Sequence, residues 1–236
     1  MQVQRFCLSA ALLGAIALFP IITAAEEVRD NEERAHGDEA ATYQWVDTYE
    51  FPAAKIVQYD LAVLSHFSYM VFSGGECLVV DPGRDIETYV RAAEKENAKI
   101  IGVWLTHSHA DFVAGHIEFA RRLEVPLHIS HVANAGYEHI ALKENDTLTV
   151  GDAVIRLLET PGHTPDSMCG ILASAADPQR PLALLTGDTL FVGSVGRPDL
   201  LGEGMAASTL ASMMFDTWTK KLAALPDDVL VMPAHG

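Results

Sequence analysis

The chain has 236 residues, enough for one domain with a substantial core or for two small ones. Of these, 49% are apolar and 20% are charged, a composition that excludes a disordered chain. The formal net charge of −16 argues against nucleic acid or an anionic membrane as a partner.

Arg5 is the only charge before Glu26, and the apolar run between them ends in Ala24-Ala25. A basic start, an apolar centre and small residues at the exit predict a secretory signal peptide over 1–25, cleaved near Ala25. The expected destination is the periplasm or the exterior. Left uncleaved, the run is close to the roughly 20 residues that span a bilayer, and would anchor the chain. Residues 26–41 carry seven acidic and two basic residues and little that is apolar, so they read as an acidic disordered spacer. The folded domain is expected over 42–236. Cys7 leaves with the signal. Cys77 and Cys169 remain, and export permits a disulfide between them, although two buried thiols are the simpler reading.

Strands are predicted over 55–64, 68–72, 76–80, 100–105, 126–130, 147–150, 153–159, 168–173, 182–186 and 229–232. Ser73-Gly74-Gly75 reads as a hairpin turn between the second and third. Three stretches have helical period. Ile86, Tyr89, Val90 and Ala93 share a face; so do Val113, Ile117, Ala120 and Leu123. Leu210, Met214, Trp218, Leu222 and Leu225 form the longest stripe. Hairpins followed by alternating strands and helices predict a layered domain of α/β or α+β type.

One local pattern recurs four times: an apolar strand ends and a metal-ligand residue type follows. His107, His109 and Asp111 follow Trp104-Leu105. His163 follows Leu157-Leu158 through Thr160-Pro161-Gly162. Asp188 follows Leu184-Leu185-Thr186-Gly187, and His235 follows Val231-Met232-Pro233-Ala234. Imidazole and carboxylate are ligands of borderline divalent metals, and strand ends can converge on one sheet edge. Gly162 and Gly187 allow sharp turns beside a crowded site. Each residue alone has a plainer role, and His36, His66, His116, His128, His131 and His139 are expected to be solvated or hydrogen-bonded. Together the four motifs predict a metal site.

These motifs, running from about Ile56 to His235, resemble the metallo-β-lactamase superfamily. The resemblance implies an α+β fold, an αββα sandwich of two mixed sheets flanked by helices, with metal at one edge. The usual first motif, His-x-His-x-Asp-His, has Phe112 at its final position here, where phenylalanine offers no ligand atom. Val79-Val80-Asp81-Pro82-Gly83-Arg84-Asp85, the stretch from His107 to His116, and Thr186 through Leu200 look more narrowly like the persulfide dioxygenases, of the branch often fused to rhodanese domains. That branch implies one iron(II) held by His107, His163 and Asp188. His109 and Asp111 then orient ligands, His235 stands by without binding metal, and Arg197 pairs with a substrate carboxylate such as glutathione's. A salt bridge to Asp199 is the plainer role for Arg197.

The substrates so implied are a small persulfide, of glutathione or a relative, and O2, giving sulfite and thiol. The implied partner is a rhodanese module, fused or separate; in the resembling family more polypeptide follows this last motif, which leaves the chain either complete or truncated at Gly236. The oligomeric state, a homo-oligomer included, is open. The rival reading is a single-Zn(II) hydrolase of a thioester such as S-acylglutathione, with His109 as a direct ligand. A non-catalytic metal- or sulfur-binding module is the third, and the intact His/His/Asp set argues against it.

Overall fold

The computed structural model describes residues 44–61, 63–202 and 205–236. The signal peptide and acidic spacer expected over 1–41 lie outside the described residues.

Two sheets face each other. The first has seven strands in sequence order: β1 (Gln44–Glu50), β2 (Lys55–Leu61), β3 (His66–Ser73), β4 (Glu76–Val80), β5 (Lys99–Trp104), β6 (Leu127–Ser130) and β7 (Ile140–Leu142). Pairing is antiparallel from β1 to β4 and parallel from β4 to β7. The switch comes where a helix first intervenes: α1 (Glu87–Lys95) crosses from β4 to β5, and α2 (His116–Leu123) from β5 to β6. A parallel neighbour needs such a crossover.

The second sheet gathers β8 (Thr147–Val150), β9 (Ala153–Glu159), β10 (Met168–Ser174), β11 (Asp177–Gly187) and β14 (Leu230–Pro233), in the order β14-β11-β10-β9-β8. Its last pair, β11 with β14, is parallel, and α3 (Ala207–Thr217) lies between them in sequence. A small hairpin, β12 (Leu190–Phe191) with β13 (Ser194–Val195), follows β11.

Period-two alternation sets the layers. Ile56, Tyr69, Val71, Leu78 and Val80 point between the sheets, where Ile155, Leu157, Leu172 and Leu185 meet them. The residues between these, such as Val57, Met70 and Val79, face outward onto Ile86, Tyr89 and Phe119 of the α1 and α2 layer. On the far side, Leu158, Ile171 and Leu184 pack on Leu222 after α3. The result is the expected αββα sandwich.

Cys77 belongs to the α1 and α2 layer and Cys169 to the layer beneath Leu222. Both are free and buried on opposite outer faces of the sandwich, so the expected thiols are found and a disulfide is excluded by geometry. Gly74 and Gly75 have φ of 57° and 79°, the left-handed pair that a two-residue hairpin demands.

Some boundaries differ from expectation. β1 is an edge strand whose mixed composition gives no clean alternation, and β7 is a three-residue edge. β11 starts earlier than 182, at Asp177, where Pro178 and Pro181 sit among register shifts against β10. Val113 is 68% exposed, because α2 begins at His116. Trp218 is also exposed, whereas Leu210, Met214 and Leu222 are buried. A four-residue step runs about 40° ahead of a 3.6-residue turn, so the stripe drifts outward by Trp218. The π-helical turn Trp218–Leu222 is wider and returns Leu222 to the core.

Candidate metal centre

The four strand-end motifs arrive at one edge of the sandwich. β5 delivers His107, β9 delivers His163, β11 delivers Asp188 and β14 delivers His235. Ligand atoms of His107, His163 and Asp188 all lie within 4.8 Å of one another. Asp188 Oδ2 is 3.8 Å from His107 Nε2 and 3.5 Å from His163 Nε2.

The hydrogen bonds behind these rings decide which nitrogen faces the centre. Thr106 donates its hydroxyl to Asp81 Oδ2 at 2.7 Å and so accepts from His107 Nδ1–H at 3.0 Å. His163 Nδ1–H donates to the carbonyl of Arg197 at 3.1 Å. In both rings the remaining lone pair is on Nε2, aimed toward Asp188. Burial lowers the His107 pKa to about 3, with His109 adding to the effect, so its imidazole is neutral and able to ligate. A set of two imidazoles and one carboxylate, with His107 and Asp188 buried, His163 half-buried and the rings fixed from behind, fits a divalent metal of the zinc or iron(II) kind.

Asp81 is the deeper anchor. It is 1% exposed, has φ of 48°, and accepts from both the amide and the hydroxyl of Thr106. Burial alone would raise its pKa, but His109, His107 and the Thr106 amide outweigh it and hold the carboxyl down to about 2. Gly187, at φ of 50°, packs so closely on Thr106 that a Cβ would collide with it. The turn carrying Asp188 is thereby pressed against the residue that orients His107. Ser108 joins from the other side, giving its amide and hydroxyl to Asp166 Oδ2 at 2.9 and 2.6 Å.

His235 does not face the centre with a free lone pair. Its Nδ1 donates to Asp188 Oδ1 at 2.7 Å and its Nε2 to Asp111 Oδ2 at 2.9 Å. Burial would lower its pKa, but the two carboxylates overcome that and raise it, favouring the imidazolium. Burial would raise the Asp188 pKa, but His235, together with His107 and His163, outweighs it and lowers that carboxyl's pKa.

Phe112 fills the remaining corner. Its ring centroid lies 3.9 Å from that of His66 and 4.5 Å from that of His109. His66 is fully buried, and burial takes its pKa down to about 3. It pairs with His235 across an isolated bridge. His109 Nε2 approaches Asp81 Oδ1 to 2.8 Å, off the line of a good hydrogen bond, and its Nδ1 is buried without a hydrogen-bond partner. His109 is outside the group formed by His107, His163 and Asp188.

Arg197 lies at the mouth, exposed, with Nε and Nη2 donating to Asp199 at 3.0 and 2.9 Å. The structure thus pairs its guanidinium within its own loop, and its carbonyl accepts from His163 at the centre. His66, Asp81 and Thr106 are site residues that the sequence reading passed over. Asp81 had a usable signal, since it follows the apolar strand Cys77-Leu78-Val79-Val80 as the other site residues follow theirs. His66 begins a strand and had none.

Beside these groups opens a cavity of about 520 Å³, within the range of small-molecule sites. Its lining includes Asp111, His163, Asp188, Phe191, Leu200 and His235.

A family model described as the metallo-beta-lactamase superfamily matches residues 61–235. A hydroxyacylglutathione hydrolase of Rhodopseudomonas palustris is 35% identical over 148 residues, 62% of this chain and 52% of the relative, so the chain spans about half that protein's length. An uncharacterized protein of Aquifex aeolicus is 28% identical over 180 residues, 68% of this chain and 79% of that one. Among solved structures, a metallo-beta-lactamase from Staphylococcus aureus superposes with a TM-score of 0.72 at 34% identity, covering 78% of this chain and 56% of its own. ETHE1 from Myxococcus xanthus gives 0.66 at 27% identity, covering 77% and 75%.

Proposed function

The chain belongs to the metallo-β-lactamase superfamily, whose members are metal-dependent enzymes, and on that premise we propose that it is a persulfide dioxygenase with one iron(II). The observation that carries the reading is the closure of the second metal position. Phe112 packs, tilted, against His66 and His109 at the position where the family's motif has a ligand, and both nitrogens of His235 are engaged by carboxylates. What remains is His107, His163 and Asp188, two imidazoles and one carboxylate, the donor set suited to non-haem iron(II) with open positions. The resemblance of the segments around Asp81, His107 and Asp188 to that branch supports it, and the likeness to ETHE1 accords with it.

The net reaction converts R–S–SH, O2 and water into R–SH, sulfite and two protons. The terminal sulfur loses four electrons and dioxygen gains them. Iron(II) in this site supplies the activation of dioxygen for addition to that sulfur. The chain's own contribution is positional and electrostatic. Thr106 and the Arg197 carbonyl fix the two rings, His235 holds Asp188 ionised and oriented, and Phe112 keeps the flank of the site apolar. Asp111 keeps His235 in place and is itself open to solvent, so it is placed to exchange protons with water. We also place the enzyme outside the cytoplasm, on the signal-like segment 1–25. Fractionation with a C-terminal tag checks this, and a cytoplasmic, full-length product overturns it.

One observation favours a second reading. His109 Nδ1 is buried with no hydrogen-bond partner, next to the His107 ring at 4.1 Å between centroids. A zinc hydrolase of a thioester would use it as a further ligand. Metal analysis joined to oxygen uptake on glutathione and alkyl persulfides separates the two. Stoichiometric iron with uptake supports the dioxygenase. Stoichiometric zinc, no uptake after anaerobic iron loading, and thioester hydrolysis overturn it.

A further inference from the structure

We propose that the cavity beside the metal centre is built for a substrate whose organic group is apolar and uncharged, with Phe191, Leu200 and Leu201 setting that preference. The inference rests on the reading above only for the reacting sulfur.

Charge points the same way as shape. Arg197 is the one Lys or Arg side chain lining the cavity among the described residues. Two of its donors are already taken by Asp199. Asp111, on the cavity wall, is committed to His235 but remains a carboxylate facing solvent. A substrate bearing carboxylates, as glutathione does, would therefore find the guanidinium already paired with Asp199 and His235 already held between Asp111 and Asp188. Such a group loses water on entry and gains no partner, a penalty that sites use to reject ligands.

The wall offers the opposite. Leu200 and Leu201 are 55% and 38% exposed, and with Phe191 and Ala110 they give the cavity an apolar side within reach of His163. Val192 and Val195, on the neighbouring hairpin, are exposed as well. Covering these leucines with an alkyl or aromatic group removes apolar surface from water, which favours binding without any charge partner. The same wall would select an apolar thiol or an apolar acyl group, so the preference does not depend on which reaction follows.

The test compares isopentyl thiol with mercaptopropionate, whose chains match in shape and differ in ending as isopropyl or carboxylate. Each is titrated into cobalt-loaded full-length protein and followed by the visible spectrum, with glutathione as a third probe. Isopentyl thiol is expected to bind about tenfold or more tightly than either acid. Leu200→Lys, at an exposed position that spares the fold, should remove most of that preference. Asp199→Ala should free Arg197 and raise affinity for mercaptopropionate several-fold. Equal or tighter binding of the acids by the unsubstituted protein overturns the proposal. Oxygen uptake with isopentyl and glutathione persulfides then tests the reaction separately. Apolar preference in binding with no uptake from any persulfide upholds this inference and removes the dioxygenase. Faster turnover of glutathione persulfide does the reverse.

Discussion

His235 donates through Nδ1 to Asp188 Oδ1 at 2.7 Å, and this bond turns a histidine expected near metal into the support of a ligand. With Oδ1 occupied, Oδ2 is the oxygen left to face His107 and His163. Replacing His235 with alanine leaves Asp188 free to rotate and without its nearest positive charge. Metal affinity is expected to fall about 10- to 100-fold, the usual cost of losing such a support. Competition with a chromophoric chelator measures it, and unchanged affinity would show that Asp188 is held by other means.

Phe112 should decide how many metals bind. Phe112→His supplies the imidazole missing from the His-x-His-x-Asp-His motif, against His66 and His109, and the bound metal is expected to rise from one toward two per chain. Elemental analysis after dialysis against limiting metal reads the ratio. A ratio that stays at one would mean that His235 remains locked by its two carboxylates.

Thr106→Val tests the chain from Asp81 to His107. Valine keeps the shape and removes the hydroxyl, leaving Asp81 Oδ2 and His107 Nδ1 without that partner. A loss of about 1–3 kcal/mol in stability is expected from the stranded buried groups. Chemical denaturation gives the stability and a chelator titration gives the affinity, which should fall in parallel. A stable variant with intact affinity would show that the His107 ring is fixed by packing alone.

Acid should destabilise the metal-free protein early. His66 and His107 have folded pKa values near 3, below the ordinary 6.5, because burial disfavours their charged forms. The unfolded chain binds those protons first, so the stability these two groups contribute is constant above about 6.5 and falls as the pH drops from there toward about 3. Asp81, held down to about 2 from 3.8, contributes stability above 3.8 that is lost as the pH falls through about 2. Denaturation midpoints across this range should begin to decline below about 6.5, and a flat profile down to pH 4 would contradict the burial of these histidines.

Much of this protein was determined by local sequence. Alternation in β3, β4 and β11 assigns faces because side chains in a strand repeat every two residues, whatever the strand later meets. The ligand types at the ends of β5, β9 and β11 are legible for the same reason, since an apolar run and the polar residue that stops it are neighbours in the chain. Phe112 was equally plain, because its lack of a ligand atom is a property of the residue itself. Edge strands such as β1 and β7 were less legible, since only one side of each is paired and their composition carries little pattern.

Tertiary structure alone decided which of these ends meet and what each side chain does there. His66 enters the site because β3 runs beside the terminus that carries His235, a contact between segments far apart in sequence. Cys77 and Cys169 are kept apart by facing opposite outer layers, which no spacing reveals. Arg197 finds Asp199 as its partner, one of its two expected roles, through the folding of a loop. Local pattern records which way a residue faces along its own element. The partner it finds is set by long-range packing, where burial and a fixed supply of hydrogen-bonding groups leave each side chain one place to go.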